Sequence, residues 1–237
     1  PRMGMADPEA MAAGIAAVAG LDCPTVATVT IDSYTRVGDH AAAAAALRSG
    51  APLNGFPIVA HGPQQTALVA AAAGPDVPVQ VRHGSADPGA ILAAAAEAGL
   101  SASEGGPVSY CLPYGRTPLV EAVSRWADAT ALFGERVAER GGRAHLETFG
   151  GCLLGQLCPP SLLIATSVLE AMFFAQHGLR SVSLSYAQQT HPVQDIEALV
   201  ALDRLATELL PDVVDRHIVL YTYMGVFPRS VEGARSL

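Results

Sequence analysis

Short runs of β-branched residues alternate with longer Ala- and Leu-rich stretches along the whole chain. The short runs predict strands over 25–31, 56–60 (approached from Leu53), 77–82, 108–112, 144–148, 181–186 and 217–223. Each is rich in Val, Ile, Thr or Tyr and bounded by Gly, Pro or Asp. The longer stretches predict helices near 8–19, 40–48, 64–73, 88–98, 118–140, 161–177 and 196–210. Proline at or near several helix starts suits a first turn in which the missing N–H is no loss, and Gly50, Gly74, Gly141 and Gly178 stand where helices close. Strands alternating with helices at a spacing of about 30 residues, without consecutive hairpins, imply a parallel sheet. Residues 1–4 read as the end of an eighth strand. No GxGxxG follows the first strand, so an open dinucleotide-binding sheet is disfavoured. The expected architecture is α/β: a (β/α)8 TIM barrel, incomplete at its C-terminal end. It is expected to form one catalytic domain over 1–237, a fragment of a longer chain.

Composition narrows the chemistry. Half of the 237 residues are hydrophobic, enough for a full core. The 14 basic residues against 22 acidic ones give a net charge of −8, with no basic run to collect phosphates, so no nucleic-acid partner is expected. No apolar stretch reaches the ~18–20 uninterrupted residues of a membrane span, so no membrane role is expected either. Cys23, Cys111, Cys152 and Cys158 form no CxxC pair and follow no secretory leader. They read as thiols of a cytoplasmic protein, not as a disulfide frame. All the basic residues are Arg, which excludes Schiff-base chemistry and a P-loop lysine within this chain.

A parallel barrel carries its chemistry at the C-terminal ends of its strands, and the polar residues collect there. Arg2, Arg36 and Arg82 belong to three different strand ends. A lone strand-end Arg is more often a structural ion-pair donor. Three around one partly buried mouth repel one another unless an anion is supplied. The planar guanidinium fork holds a carboxylate through two parallel hydrogen bonds, so a small substrate with one or two carboxylates is expected, with phosphate as the competing anion. Glu104 and Glu147 fit general bases, ammonium binders or counter-ions for the arginines. Tyr110 and Tyr114 fit ligand contacts or packing residues. His83 fits an acid/base, a donor to a ligand, or a buried hydrogen-bonded imidazole. His40, His145, His177 and His217 read as structural or surface residues. No HxH, HExxH or two-Cys-plus-His spacing occurs, so no metal site is expected in this chain. Asp215-Arg216-His217 begins like the DxHxxG cobalamin-ligand motif, but Leu220 stands where the Gly is needed.

Several segments resemble one family together and in order. They are Pro1-Arg2-Met3-Gly4, Ile31-Asp32-Ser33-Tyr34-Thr35-Arg36, Leu53-Asn54-Gly55-Phe56-Pro57 and Gln80-Val81-Arg82-His83-Gly84. Glu104-Gly105-Gly106 with Ser109-Tyr110 and Pro113-Tyr114, then Pro159-Pro160-Ser161, Gln194-Asp195-Ile196 and Met224-Gly225-Val226-Phe227-Pro228, continue the match. They resemble the large (epsilon, E) subunit of glutamate mutase, also called methylaspartate mutase. The likeness runs over essentially the whole chain, with one short deletion between Arg36 and Asn54.

The resemblance implies a TIM barrel isomerase that interconverts L-glutamate and L-threo-3-methylaspartate by a radical carbon-skeleton rearrangement. It implies adenosylcobalamin (coenzyme B12) as cofactor, its cobalt ligated from a small cobalamin-binding (sigma, S) subunit. By the same resemblance Arg2, Arg36 and Arg82 clamp the substrate carboxylates, with His83 beside them. Glu104 receives the ammonium group and is the candidate catalytic residue, and Tyr110 and Tyr114 add substrate contacts. Gly4, Asn54, Pro113 and Phe227 face the cofactor. The family's later Lys and Glu, which contact the cofactor's ribose, would follow Leu237. The segment 188–192 (QQTHP) and Cys111 depart from the family pattern and bear on which related acidic amino acid is taken. A cofactor-independent or non-catalytic barrel that binds an acidic amino acid or dicarboxylate stays open as the alternative. A barrel without its closing strand leaves an open edge, so an oligomer is expected.

Overall fold

The computed structural model describes residues 3–111, 116–151, 153, 158–223, 228–230 and 232–233. Along the chain they form α1 (Pro8–Ala19), β1 (Ala27–Thr30), α2 (Ser33–Arg36), α3 (His40–Ser49), α4 (Ile58–Ala71), β2 (Val79–Arg82) and α5 (Gly89–Glu97). There follow β3 (Ala102–Glu104), α6 (Leu119–Glu139), β4 (His145–Glu147), α7 (Pro160–Gln176), β5 (Ser181–Ala187), α8 (Pro192–Leu209) and β6 (Asp215–Tyr221). The helices begin where the sequence supplies caps. Asp7 accepts the Ala10 N–H at 2.7 Å, Asp39 accepts that of Ala42 at 2.9 Å, and Pro8, Pro160 and Pro192 occupy first turns. Each helix then buries one stripe, such as Met11, Ile15 and Val18 on α1, or Trp126, Ala129, Phe133 and Val137 on α6. Every fully buried large apolar side chain of this kind contributes about 1.5–3 kcal/mol.

The six strands are all parallel and lie in the order β1-β2-β3-β4-β5-β6. A doubly wound sheet reverses its strand order at a switch point. Here each strand lies beside the one before it, which is the winding of a (β/α) barrel, and among the described residues β1 and β6 do not pair. The register places the site. Thr30 is opposite Arg82, Val81 opposite Ser103, Glu104 opposite Glu147, and Glu147 opposite Ser183. In-register residues of parallel strands point to one face, so Arg82, Glu104 and Glu147 share a row at the C-terminal edge. The adjacent row, Val29, Val81, Leu146 and Val182, points the other way and is buried in the apolar core.

Two expected strands do not form. The run 56–60 gives only an isolated bridge from Phe56 to Ile31, and α4 starts at Ile58. Pro57 precedes that helix, and α4 is kinked at Gly62 (φ +77°), so the helix expected from 64 is the second half of a longer element. The N–H of Phe56 donates to Thr30 O at 2.9 Å, and the N–H of Thr30 donates to Met3 O at 2.7 Å. Both segments therefore meet the edge of β1 away from β2. The run 108–112 is a turn as far as Cys111, and the strand preceding it is β3, at 102–104. Among the described residues no helix is long and apolar enough to cross a membrane.

Candidate active site

A cavity of about 300 Å³ opens at the C-terminal ends of β1, β2 and β3. Arg36, Asn54, Arg82, His83, Glu104, Tyr110 and Phe149 are among the residues lining it. Local structure delivers each one. Asp32 caps the single turn of α2, accepting the N–H groups of Tyr34 (2.9 Å) and Thr35 (3.0 Å), and this turn carries Arg36 to the rim. Asn54 Oδ1 accepts the Ser33 N–H at 2.9 Å, fastening the loop before α4 to the same turn. Gly105, at φ +121°, lets the chain after β3 double back. A Cβ there would come within 2.5 Å of the Tyr110 ring and 2.8 Å of Trp126.

The buried charges form one connected network. Arg82 Nη2 lies 2.5 Å from Glu104 Oε2, with Arg82 8% and Glu104 2% exposed. The Tyr110 hydroxyl donates to Glu104 Oε1. Arg82 Nη2 also donates to the Tyr221 oxygen at 3.3 Å, and the Tyr221 hydroxyl donates in turn to Glu147 Oε1. Gln80 Nε2 donates to Glu147 Oε2 at 3.2 Å. The Arg82 guanidinium sits over the rings of Tyr221 (5.5 Å) and Phe149 (5.7 Å), where a desolvated cation–π contact stabilises it further. Arg82 is thus held on three sides, whereas Arg36 is exposed and makes no ion pair with a described residue.

His83 is buried and stacks on Trp126, with ring centroids 5.7 Å apart, and edge-on to Tyr110 at 5.2 Å. Burial lowers its pKa to about 3, partly offset by a hydrogen bond with the Glu104 backbone. Nδ1 accepts the Ser85 N–H at 3.0 Å, which leaves the proton on Nε2. At neutral pH this imidazole is an uncharged polar group, not a proton-transfer residue.

Of the residues singled out in the sequence, Arg36, Asn54, Arg82, His83, Glu104 and Tyr110 line one cavity. Glu147 stands behind Arg82 through Tyr221. Gly4 packs against Thr30 and Gly55 instead, where a Cβ would overlap the Thr30 carbonyl. Arg2, Pro113, Tyr114 and Phe227 lie outside the described residues. Sequence reasoning missed Tyr221, Phe149 and Glu170. Tyr221 could have been found from the period-2 alternation of 215–221, which puts it on the face of His217 and Val219. Glu170 could have been found as the one charged residue in α7.

The family model described as "Methylaspartate mutase E chain (MutE)" matches residues 1–237. The glutamate mutase epsilon subunit of Halobacterium salinarum is 40% identical over 206 residues, covering 84% of this chain and 42% of that protein. That of Haloarcula marismortui is 38% identical over 205 residues, covering 84% and 41%. The chain spans about two fifths of the length of these relatives. Among solved structures, a putative phosphonomutase from Burkholderia cenocepacia aligns over 95% of this chain and 88% of its own, at 15% identity and a TM-score of 0.43.

Proposed function

Because the chain belongs to the methylaspartate mutase E chain family, we propose that it is the substrate-binding part of an isomerase that rearranges the carbon skeleton of L-glutamate to L-threo-3-methylaspartate. In this reading it acts with adenosylcobalamin and a small cobalamin-binding subunit that ligates the cobalt. The observation that carries the reading is the gathering of Arg36, Arg82, Glu104, Tyr110 and His83 around one cavity in a chain of this family. A guanidinium at the exposed rim and another at the buried floor match two carboxylates of one small molecule. The Glu104 carboxylate offers the complementary site for its ammonium group.

Before ligand arrives, Arg82 and Glu104 satisfy each other. A zwitterionic dicarboxylate replaces both halves of that ion pair at once, its carboxylate taking Arg82 and its ammonium taking Glu104. A plain dicarboxylate replaces only one half and leaves Glu104 with a like charge beside it. This exchange selects an amino acid over the corresponding diacid.

One described side chain offers a donor to the cofactor. Asn54 lines the cavity and uses its amide oxygen on Ser33, so its NH2 group is the donor it offers outward. Asn54 and, outside the described residues, Pro113 and Phe227 would face the cofactor. When bound, adenosylcobalamin supplies homolytic Co–C chemistry, the difficult part of the reaction. The chain's own task is to orient the substrate by its carboxylates and keep its fragments in place while bonds are exchanged. Its buried aromatic walls, Tyr110 and Phe149, keep water from the reacting carbon atoms. His83, neutral, keeps its proton and moves none. The test mixes this chain with a small cobalamin-binding subunit, adenosylcobalamin and L-glutamate. Methylaspartate and an organic radical in the electron paramagnetic resonance spectrum are expected; a complete mixture that yields neither overturns the proposal.

A further inference from the structure

We infer that Glu170, which does not line the cavity, is a positioning residue whose carboxyl group ties the loop after β3 to α7 and thereby places Tyr110 and Glu104 against Phe149 and Arg82. Glu170 is 1% exposed, on α7 between residues of an apolar helix. Its Oε1 accepts the N–H of Val108 at 3.0 Å and of Ser109 at 2.8 Å. These two donors lie directly before Tyr110, whose ring packs at 5.4 Å from that of Phe149 on the cavity wall. One buried carboxyl group therefore anchors the rim loop that carries Tyr110.

A second feature is built around the same carboxylate. A Cβ on Gly106 would fall within the Glu170 carboxyl group, so glycine at 106 is what lets the loop close onto it. A leucine or methionine at 170 would suit the apolar surroundings but would leave the loop N–H groups buried without an acceptor. A glutamine at this point keeps one side-chain oxygen to accept these N–H groups, whereas an alanine keeps none. Tyr110 in turn donates to Glu104 and packs at Trp126, so a shift of the loop reaches the cavity directly.

The inference rests on the proposed function only in taking L-glutamate as the ligand. The test compares the full chain with its Glu170→Gln and Glu170→Ala variants in three measurements: amide hydrogen exchange, emission of Trp126 without ligand, and titration with L-glutamate. Exchange at Val108 and Ser109 should accelerate about tenfold or more in Glu170→Ala. It should rise less in Glu170→Gln, with the amides of β1 and β5 unchanged. Trp126 emission should shift in the same order, and the Kd for L-glutamate should rise in that order, with Gln restoring most of the loss. Unchanged exchange at these two amides overturns the inference, as does acceleration spread evenly over the sheet. Loosened loops with wild-type Trp126 emission and affinity overturn it as well. If the wild-type chain itself ignores L-glutamate, the proposed function fails alone, because exchange and ligand-free emission still decide the role of Glu170.

Discussion

Replacing Glu104 by Gln separates its pairing with Arg82 from the ammonium-binding role proposed for it. The substitution keeps the shape and one acceptor for the Tyr110 hydroxyl but removes the charge that lies 2.5 Å from Arg82. Breaking one partner of a buried ion pair costs about 3–5 kcal/mol. The lower end applies here, because Arg82 keeps Tyr221 and the Phe149 ring and borders an open cavity. At about 2–4 °C per kcal/mol for a chain of this size, Tm should fall by about 6–12 °C. Ligand preference should move separately. Glutamate loses the anion that receives its ammonium group, a charged hydrogen bond worth about 1.5–3 kcal/mol. Glutarate, which lacks the amino group, loses nothing and gains a guanidinium freed of its partner. The glutamate-to-glutarate preference should therefore drop by about 10- to 150-fold. The sole tryptophan, Trp126, stacked on His83 next to the cavity, reports both titrations by its fluorescence. An unchanged preference in a folded Glu104→Gln protein would refute the ammonium role. An unchanged Tm would refute the buried pairing with Arg82.

Three more outcomes follow from the same coordinates. Tyr221→Phe retains the ring under Arg82 but removes the hydroxyl between Arg82 and Glu147, so stability should fall by about 1–3 kcal/mol in thermal unfolding; adding Glu147→Gln should recover part of it. The His83 imidazole resonances should stay constant between pH 5 and 8, because burial holds the pKa at about 3; a titration in that interval contradicts the neutral assignment. Burial raises the Glu170 pKa from 4.5 to about 7 against opposing hydrogen bonds from Ser109, Val108 and Phe149, none of them charged. Between those values the folded chain keeps a proton that the unfolded chain releases. The stability contributed by this group is full below about pH 4.5, falls as pH rises and levels off above about pH 7, a change of about 3 kcal/mol. It is read as the difference between wild type and Glu170→Gln, so that the opposite trends of buried His83 and His145 cancel; a difference independent of pH rules it out.

Much of this arrangement was legible along the chain. Most helix limits followed from first-turn prolines, closing glycines and the spacing of apolar positions, which act within one turn, although α4 and α8 begin at 58 and 192, before the expected 64 and 196. The polar residues at strand ends identified six members of one cavity before any contact was known. Two strand assignments failed for reasons outside the local pattern. In 108–112 the N–H groups of Val108 and Ser109 go to Glu170, some 60 residues on, and not to a neighbouring strand. In 56–60 the apolar run is the start of a helix, and only Phe56 reaches β1.

Local propensity and side-chain period are properties of neighbouring residues, so the sequence alone determined the alternation of strand and helix and the identity of the charged groups at the rim. Pairing between them depends on register across separate strands, and register is settled only when the sheet assembles. The tertiary structure therefore decided that Arg82 meets Glu104, that Tyr221 carries this contact on to Glu147, and that a carboxylate inside an apolar helix holds the loop bearing Tyr110. These are contacts a few ångströms long between residues far apart in the chain, and no local pattern encodes them.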